Sequence, residues 1–234
     1  SYLLKVYVFH ESGTLVSGII GGLYSSTATI SVLARKSRKA SEQEATDYVA
    51  AMLLAVSMMF LRFMILILIF SREIFLSIYP YLLTMAVVAA IFSWFIHSRQ
   101  KRSNDQPVEE EEDDSSNPLE FKVALIFAVL FVIFTFLTHY TLVYAGTGGL
   151  NLLSFVSGFS DITPFILNLL QNTGSVAALI ITACSMQAII SNIMVNMFYA
   201  LFFAGKGSKL RPWILGGFGV VIACNLVLLL FFYI

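Results

Sequence analysis

Residues Leu150–Gln171 read LNLLSFVSGFSDITPFILNLLQ. The stretch is apolar enough for a membrane span, yet its middle carries Ser157, Gly158, Ser160, Asp161, Thr163 and Pro164. Gly, Ser and Thr interrupt helical continuity, and Pro removes a main-chain donor. Inside hydrocarbon, irregular backbone survives only where protein or a watery cavity satisfies it. A second stretch, residues 13–34, has the same character; its Thr14–Ala34 part reads TLVSGIIGGLYSSTATISVLA. Both are expected to be broken or re-entrant helices. The alternative is a continuous small-residue helix packed tightly on its neighbours.

Around these stretches the chain is plainly membrane-spanning. Five runs are long and apolar enough to cross about 30 Å of hydrocarbon: residues 48–70, 74–97, 121–144, 176–204 and 212–234. Of the 234 residues 58% are hydrophobic and 12% charged, about half the usual charge fraction of roughly 25% in soluble domains. With a mean hydropathy of +0.84, a soluble enzyme, a nucleic-acid binder and a disordered chain are all excluded. Cys184 and Cys224 lie in apolar runs and read as small buried hydrophobes rather than a disulfide. No basic leader precedes the first apolar segment, and the first residue is Ser rather than Met, so a fragment or processed product is expected.

The one strongly polar stretch is 98–118, SRQKRSNDQPVEEEEDDSSNP, basic first and then acidic over Glu109–Asp114. Like-charge blocks repel themselves, so a flexible linker is expected, with weak cation binding as the lesser reading. It divides the chain into similar halves, 1–97 and 119–234. Gly21–Ile30 (GGLYSSTATI) aligns with Ser157–Ile166 (SGFSDITPFI), pairing Gly22 with Gly158, Thr27 with Thr163 and Ile30 with Ile166. Downstream, Ala55–Met58 (AVSM) resembles Ala183–Met186 (ACSM). The expected fold class is an all-α polytopic membrane protein of two inverted repeats, each with a broken or re-entrant helix, the first repeat lacking most of its leading helix.

Charge placement selects the inverted arrangement. If each broken segment dips in and returns, Lys5, Arg35–Lys39, Arg99–Arg102, Lys122 and Lys206–Arg211 share one side, putting 12 basic residues against Arg72 alone. If each crosses, the split is 8 against 5. Basic residues accumulate on the cytoplasmic side. The linker is then cytoplasmic and the C-terminus external.

Arg62 and Asp161 are the ionisable residues deep in apolar segments. A charge there costs roughly 2.5–3.5 kcal/mol on insertion scales and ordinarily faces a cavity or a partner. They could pair, flank a substrate, or be structural. Further candidate pathway residues are Ser25, Ser26, Thr27 and Thr29 in one broken segment and Ser160 and Thr163 in the other, with Gln187, Asn192 and Asn196 on the span after it. Unwound backbone and half-helix ends bind ions or substrates at the midplane of inverted-repeat transporters. Asp161 leans toward cations and is the best candidate for a metal; Arg62 leans toward anions. His10, His97 and His139 are scattered near span ends. GKGSK at Gly205–Lys209 lacks P-loop spacing and reads as a basic loop near lipid headgroups. No catalytic constellation and no cofactor are expected.

The run Gly18–Thr29 (GIIGGLYSSTAT) followed by Leu33–Arg38 (LARKSR) resembles the membrane domain that follows the MgtC-type domain in MgtC/SapB-like bacterial proteins, domain-of-unknown-function family 4010. The likeness continues through Met58–Arg62 (MMFLR) and resumes at Gly158–Asp161 (GFSD) and at Ser191 and Asn192. Where that family's second motif is richer in acids and followed by Ala-Ile-Thr, Thr163-Pro164-Phe165 stands here. The resemblance implies a polytopic protein of a bacterial or archaeal cytoplasmic membrane with a magnesium-related transport role. The expected function is a transporter or channel for a small ion or solute. The alternatives are a non-transporting regulatory or assembly subunit and, less favoured, a lipid-acting membrane enzyme. Gly216, Gly217 and Gly219 offer a face for a homodimer.

Overall fold

A computed structural model describes residues 13–38, 40, 42–98, 119–159, 161–171, 176–205, 208 and 210–233. The expectations for residues before 13, for the acidic linker and for Ser160 fall outside these. Every regular element among the described residues is a helix: α1 (Thr14–Lys36), α2 (Glu42–Phe70), α3 (Arg72–Ser98), α4 (Leu119–Ser157), α5 (Ile162–Gln171), α6 (Ala178–Ala204) and α7 (Arg211–Tyr233). Five of them, α1, α2, α3, α6 and α7, are long and apolar enough to cross a membrane.

The helices form two compact units. One draws on Ser1–Arg62, Leu83–Asn117 and Asn196–Val221, the other on Phe63–Leu82, Pro118–Val195 and Ile222–Ile234. Each unit takes segments from both sides of the linker.

Each unit has a central helix. In the first it is α2, where Val49–Leu53, Ala55, Val56, Met59 and Phe60 are wholly buried around the helix circumference. In the second it is α6, buried at Ile181–Met186 and again at Ala188–Ile193. A helix that is apolar all round belongs in an interior. The outer helices carry the opposite pattern. α3 exposes Leu83, Val87, Ile91 and Trp94, and α7 exposes Leu226, Val227, Leu230 and Phe231. Apolar surface on this scale needs lipid or protein against it.

In the first unit α3 packs antiparallel to α2. Ser57 Oγ donates to the Ala86 carbonyl at 2.8 Å and Ser93 Oγ to the Ala50 carbonyl at 2.7 Å. At the same end as Ser93, His97 Nδ1 lies 2.7 Å from Asp47 Oδ1. In the second unit the Tyr81 hydroxyl donates to Asn225 Oδ1, so Asn225 ties α7 to α3. Of the three glycines expected on one outer face of α7, Gly217 turns inward, where a methyl would meet Leu53 Cδ1 at 2.8 Å. Gly216 and Gly219 have open space.

Candidate functional site: two interrupted helices

Both expected interruptions are present. In α1 the helix stops at Ser25, whose φ of −156° and ψ of 107° are extended, and resumes at Ser26. Each half has 11 residues, about 16 Å at 1.5 Å per residue, roughly half the hydrocarbon thickness. The hydroxyl of Ser25 accepts from the Ala28 N–H at 3.4 Å, so it caps the second half. Ser26 and Thr29 are buried and Thr27 is partly so.

The first half lies against α2 through glycine. A methyl on Gly18 would come 2.4 Å from the Ala51 carbonyl oxygen, and one on Gly22 2.5 Å from Ala55 Cα. Only hydrogen fits at these contacts, which explains the Gly-x-x-x-Gly spacing. The contacts ascend together along both helices, 18 with 51 and 22 with 55. At the top, Arg62 Nη1 donates to the Tyr24 carbonyl at 2.7 Å. The break leaves that carbonyl without a continuing helical turn. A guanidinium there meets the negative end of a half-helix dipole.

The second interruption has the same parts. α4 is divided at Gly146, whose φ of +58° a side-chain-bearing residue rarely adopts. The short helix Gly148–Ser157 follows, then Gly158, Phe159 and Asp161 outside any helix, then α5. Asp161 is exposed, and its Oδ1 accepts from the Thr163 N–H at 2.9 Å. The carboxylate thus sits at the positive end of a half-helix. Pro164 is in the first turn of α5, where its missing N–H costs nothing, so it begins the helix rather than breaking it.

Here too the central helix closes the freed carbonyls. Ser191 Oγ donates to the Phe155 carbonyl at 2.7 Å, and Asn192 Nδ2 to the Gly158 carbonyl at 3.2 Å. A methyl on Gly158 would lie 2.3 Å from Ser191 Oγ. Lower down, Cys184 Sγ approaches Asn151 Oδ1 at 3.5 Å, so these contacts also ascend together.

The structure therefore gathers Ser25 and Arg62 at one break, and Asp161, Thr163 and Asn192 at the other. Arg62 and Asp161 lie in different units, and each finds a main-chain partner within its own. On α6, Asn192 and Asn196 are buried and share a face with Ser185. Gln187, five residues before Asn192, is about 140° away round the helix and only partly buried. Thr138, Thr182 and Ser185 are buried, and their hydroxyls have no hydrogen-bond partner among the described residues. Among the described residues no three of His, Cys, Asp and Glu gather where a metal could be held.

Ser191 was named only as part of the family resemblance, and the Thr135–Asn168 bond, 2.8 Å between Oγ1 and Nδ2, was not foreseen. Ser191 had a signal: it follows Gly158 by as many residues as Ala55 follows Gly22. Asn168 and Thr135 carried none.

No solved structure matches the chain. The chain is similar to an uncharacterized protein of Aquifex aeolicus (strain VF5), 24% identical over 224 residues, covering 94% of this chain and 96% of the relative. The sequence model described as Domain of unknown function (DUF4010) matches residues 1–204, and the chain belongs to that family.

Proposed function

We propose that this protein is a transporter or channel for a small ion or solute in a bacterial or archaeal cytoplasmic membrane, with its two helix breaks as the polar elements of the pathway. One observation carries the reading. Each break is a short length of non-helical backbone whose loose ends are closed by polar side chains: Ser25 and Arg62 at one, Asp161, Ser191 and Asn192 at the other. Such backbone is tolerated at membrane depth where it is enclosed by protein or lines a cavity, and it is the common means of midplane binding in transporters.

The order of contacts supports re-entrant hairpins. Thr14–Tyr24 runs in the direction of α2, and a short connection returns Ser26–Lys36 to the start of α2. The chain then reverses at Ser25. Gly148–Ser157 likewise runs with α6, and α5 leads back to the α6 start. With both segments returning, a complete repeat unit has three crossings and the repeats are inverted, the arrangement that places 12 basic residues on one side.

The test is flux. Full-length protein in liposomes, offered a panel of monovalent and divalent cations, anions and small neutral solutes, should pass at least one above empty vesicles. Arg62→Ala should reduce that flux. No flux for any solute would favour a regulatory or assembly subunit. Full flux in Arg62→Ala would remove Arg62 from the pathway. A tag after Ile234 on the same side as the linker would overturn the inverted topology.

A further inference from the structure

The sharpest concentration of positive charge in the sequence, Arg35–Lys39, lies at the far end of α1 from its break. α1 ends in Arg35 and Lys36, with Arg38 just beyond. Arg35 and Arg38 are exposed. Neither side chain is free to wander. The Arg35 guanidinium carbon is 4.3 Å above the centre of the Phe203 ring, a cation–π contact. Arg38 lies along the end of α6, its Nε 3.4 Å from where a methyl on Gly205 would be. Gly205 has φ +91°, so glycine both makes the turn and leaves room for the side chain. Turn bonds from Ser208 N–H to the Gly205 carbonyl and from Arg211 N–H to the Ser208 carbonyl carry the chain on to Arg211, and Trp213 follows at the surface.

The stretch Arg35–Lys39 is basic in sequence, with Glu42 and Glu44 following at the start of α2. No carboxylate occurs between residues 12 and 41, nor anywhere after Asp161. Asp47, in the first turns of α2, lies 2.7 Å from His97 Nδ1. The patch also lies where apolar helices end and a surface Trp begins, the signature of a headgroup layer. Two guanidiniums fixed in place, a third basic residue two turns on and an aromatic beside them match a phosphodiester with an acyl chain beneath it.

We infer that Arg35, Arg38 and Arg211, held by Phe203 and Gly205, form a binding site for the headgroup of an anionic phospholipid. This does not rest on the transport reading. The site joins the end of the first interrupted helix to the α6–α7 connection, so an occupied site ties these segments together.

The test uses the full chain purified in uncharged detergent and titrated with phosphatidylglycerol, phosphatidylcholine or inorganic phosphate, with the thermal midpoint as readout. Phosphatidylglycerol should raise the midpoint, the other two should not, and the shift should shrink as sodium chloride rises from low to high. In R35Q/R38Q the lipid concentration needed for half the shift should rise at least about tenfold. Arg72→Gln, at the start of α3, should respond like wild type. Should the double variant fail to fold, R38Q alone, with the salt titration, gives the same decision. An equal shift with phosphatidylcholine, an unchanged response in R38Q, or salt-independence would overturn the proposal. An equal effect of inorganic phosphate would make it a free-anion site. Were the guanidiniums mere helix caps, the variants would melt earlier with the lipid response intact.

Discussion

Arg62 closes the carbonyl end of a half-helix that ends 38 residues before it, its Nη1 donating to the Tyr24 main-chain oxygen at 2.7 Å. A hydrogen bond from a charged donor contributes about 1.5–3 kcal/mol, and an unsatisfied carbonyl in hydrocarbon adds to the loss when the donor goes. Arg62→Ala should therefore destabilise the protein by roughly 2 kcal/mol. Arg62→Lys keeps a cation at the negative helix end and should recover part of that. Thermal unfolding of the purified protein reads both. Equal melting of Arg62→Ala and wild type would mean that the Tyr24 carbonyl is satisfied by something else.

The glycine contacts divide sharply by position. Gly22→Ala places a methyl 2.5 Å from Ala55 Cα, against main chain that cannot step aside. Overpacking of this kind costs about 1–3 kcal/mol. Gly158→Ala, which drives a methyl into Ser191 Oγ and displaces two capping bonds, should cost at least as much. Gly216→Ala meets open space and gains helix propensity, up to about 1 kcal/mol. A melting series ordered Gly216→Ala, wild type, Gly22→Ala, Gly158→Ala is expected. A stable Gly22→Ala protein would contradict the close approach of α1 and α2.

Both interruptions could be located from residue types alone, because the chemistry that opens a helix is local. Ser25 stands in a hydroxyl cluster and Asp161 follows Gly158-Phe-Ser. The aligned motifs GGLYSST and SGFSDIT put the two capping residues at the same place. The partners of those breaks were less legible, because they depend on which face of a neighbouring helix turns inward. Arg62 and Asp161 stood out as two opposite charges and invited pairing with each other. Each meets the dipole of a half-helix, a partner that has no residue letter. Likewise AVSM and ACSM look alike, but the packing equates Ala55 with Ser191, since these are what touch Gly22 and Gly158. Gln187 and Asn192 sit close in sequence, yet a spacing of five separates their faces.

Asp161 has two separable roles, a cap and a charge. Asp161→Ala removes the acceptor for the Thr163 N–H and should cost about 1 kcal/mol. Asp161→Ser should melt close to wild type, because Ser25 performs the same task in α1. Asp161→Asn also keeps an acceptor while discarding the charge. If the carboxylate faces the transported ion, Asn and Ser variants should change flux or its ion selectivity at unchanged melting temperature. Unaltered flux in both would leave Asp161 a cap alone.

The bond from Tyr81 to Asn225 offers a test of how buried polar groups hold helices together within the second unit. Both side chains are buried, at 2% and 0% exposure, so neither can turn to solvent when its partner is removed. Tyr81→Phe leaves the Asn225 amide short of one donor. Asn225→Leu leaves the Tyr81 hydroxyl buried without its acceptor, and should be the worse of the two at about 1–3 kcal/mol. The double variant replaces both groups by apolar ones and should cost less than the sum of the singles, with a coupling of about 0.5–3 kcal/mol. Strict additivity in thermal unfolding would mean that the bond contributes nothing to stability and that packing alone joins α3 to α7.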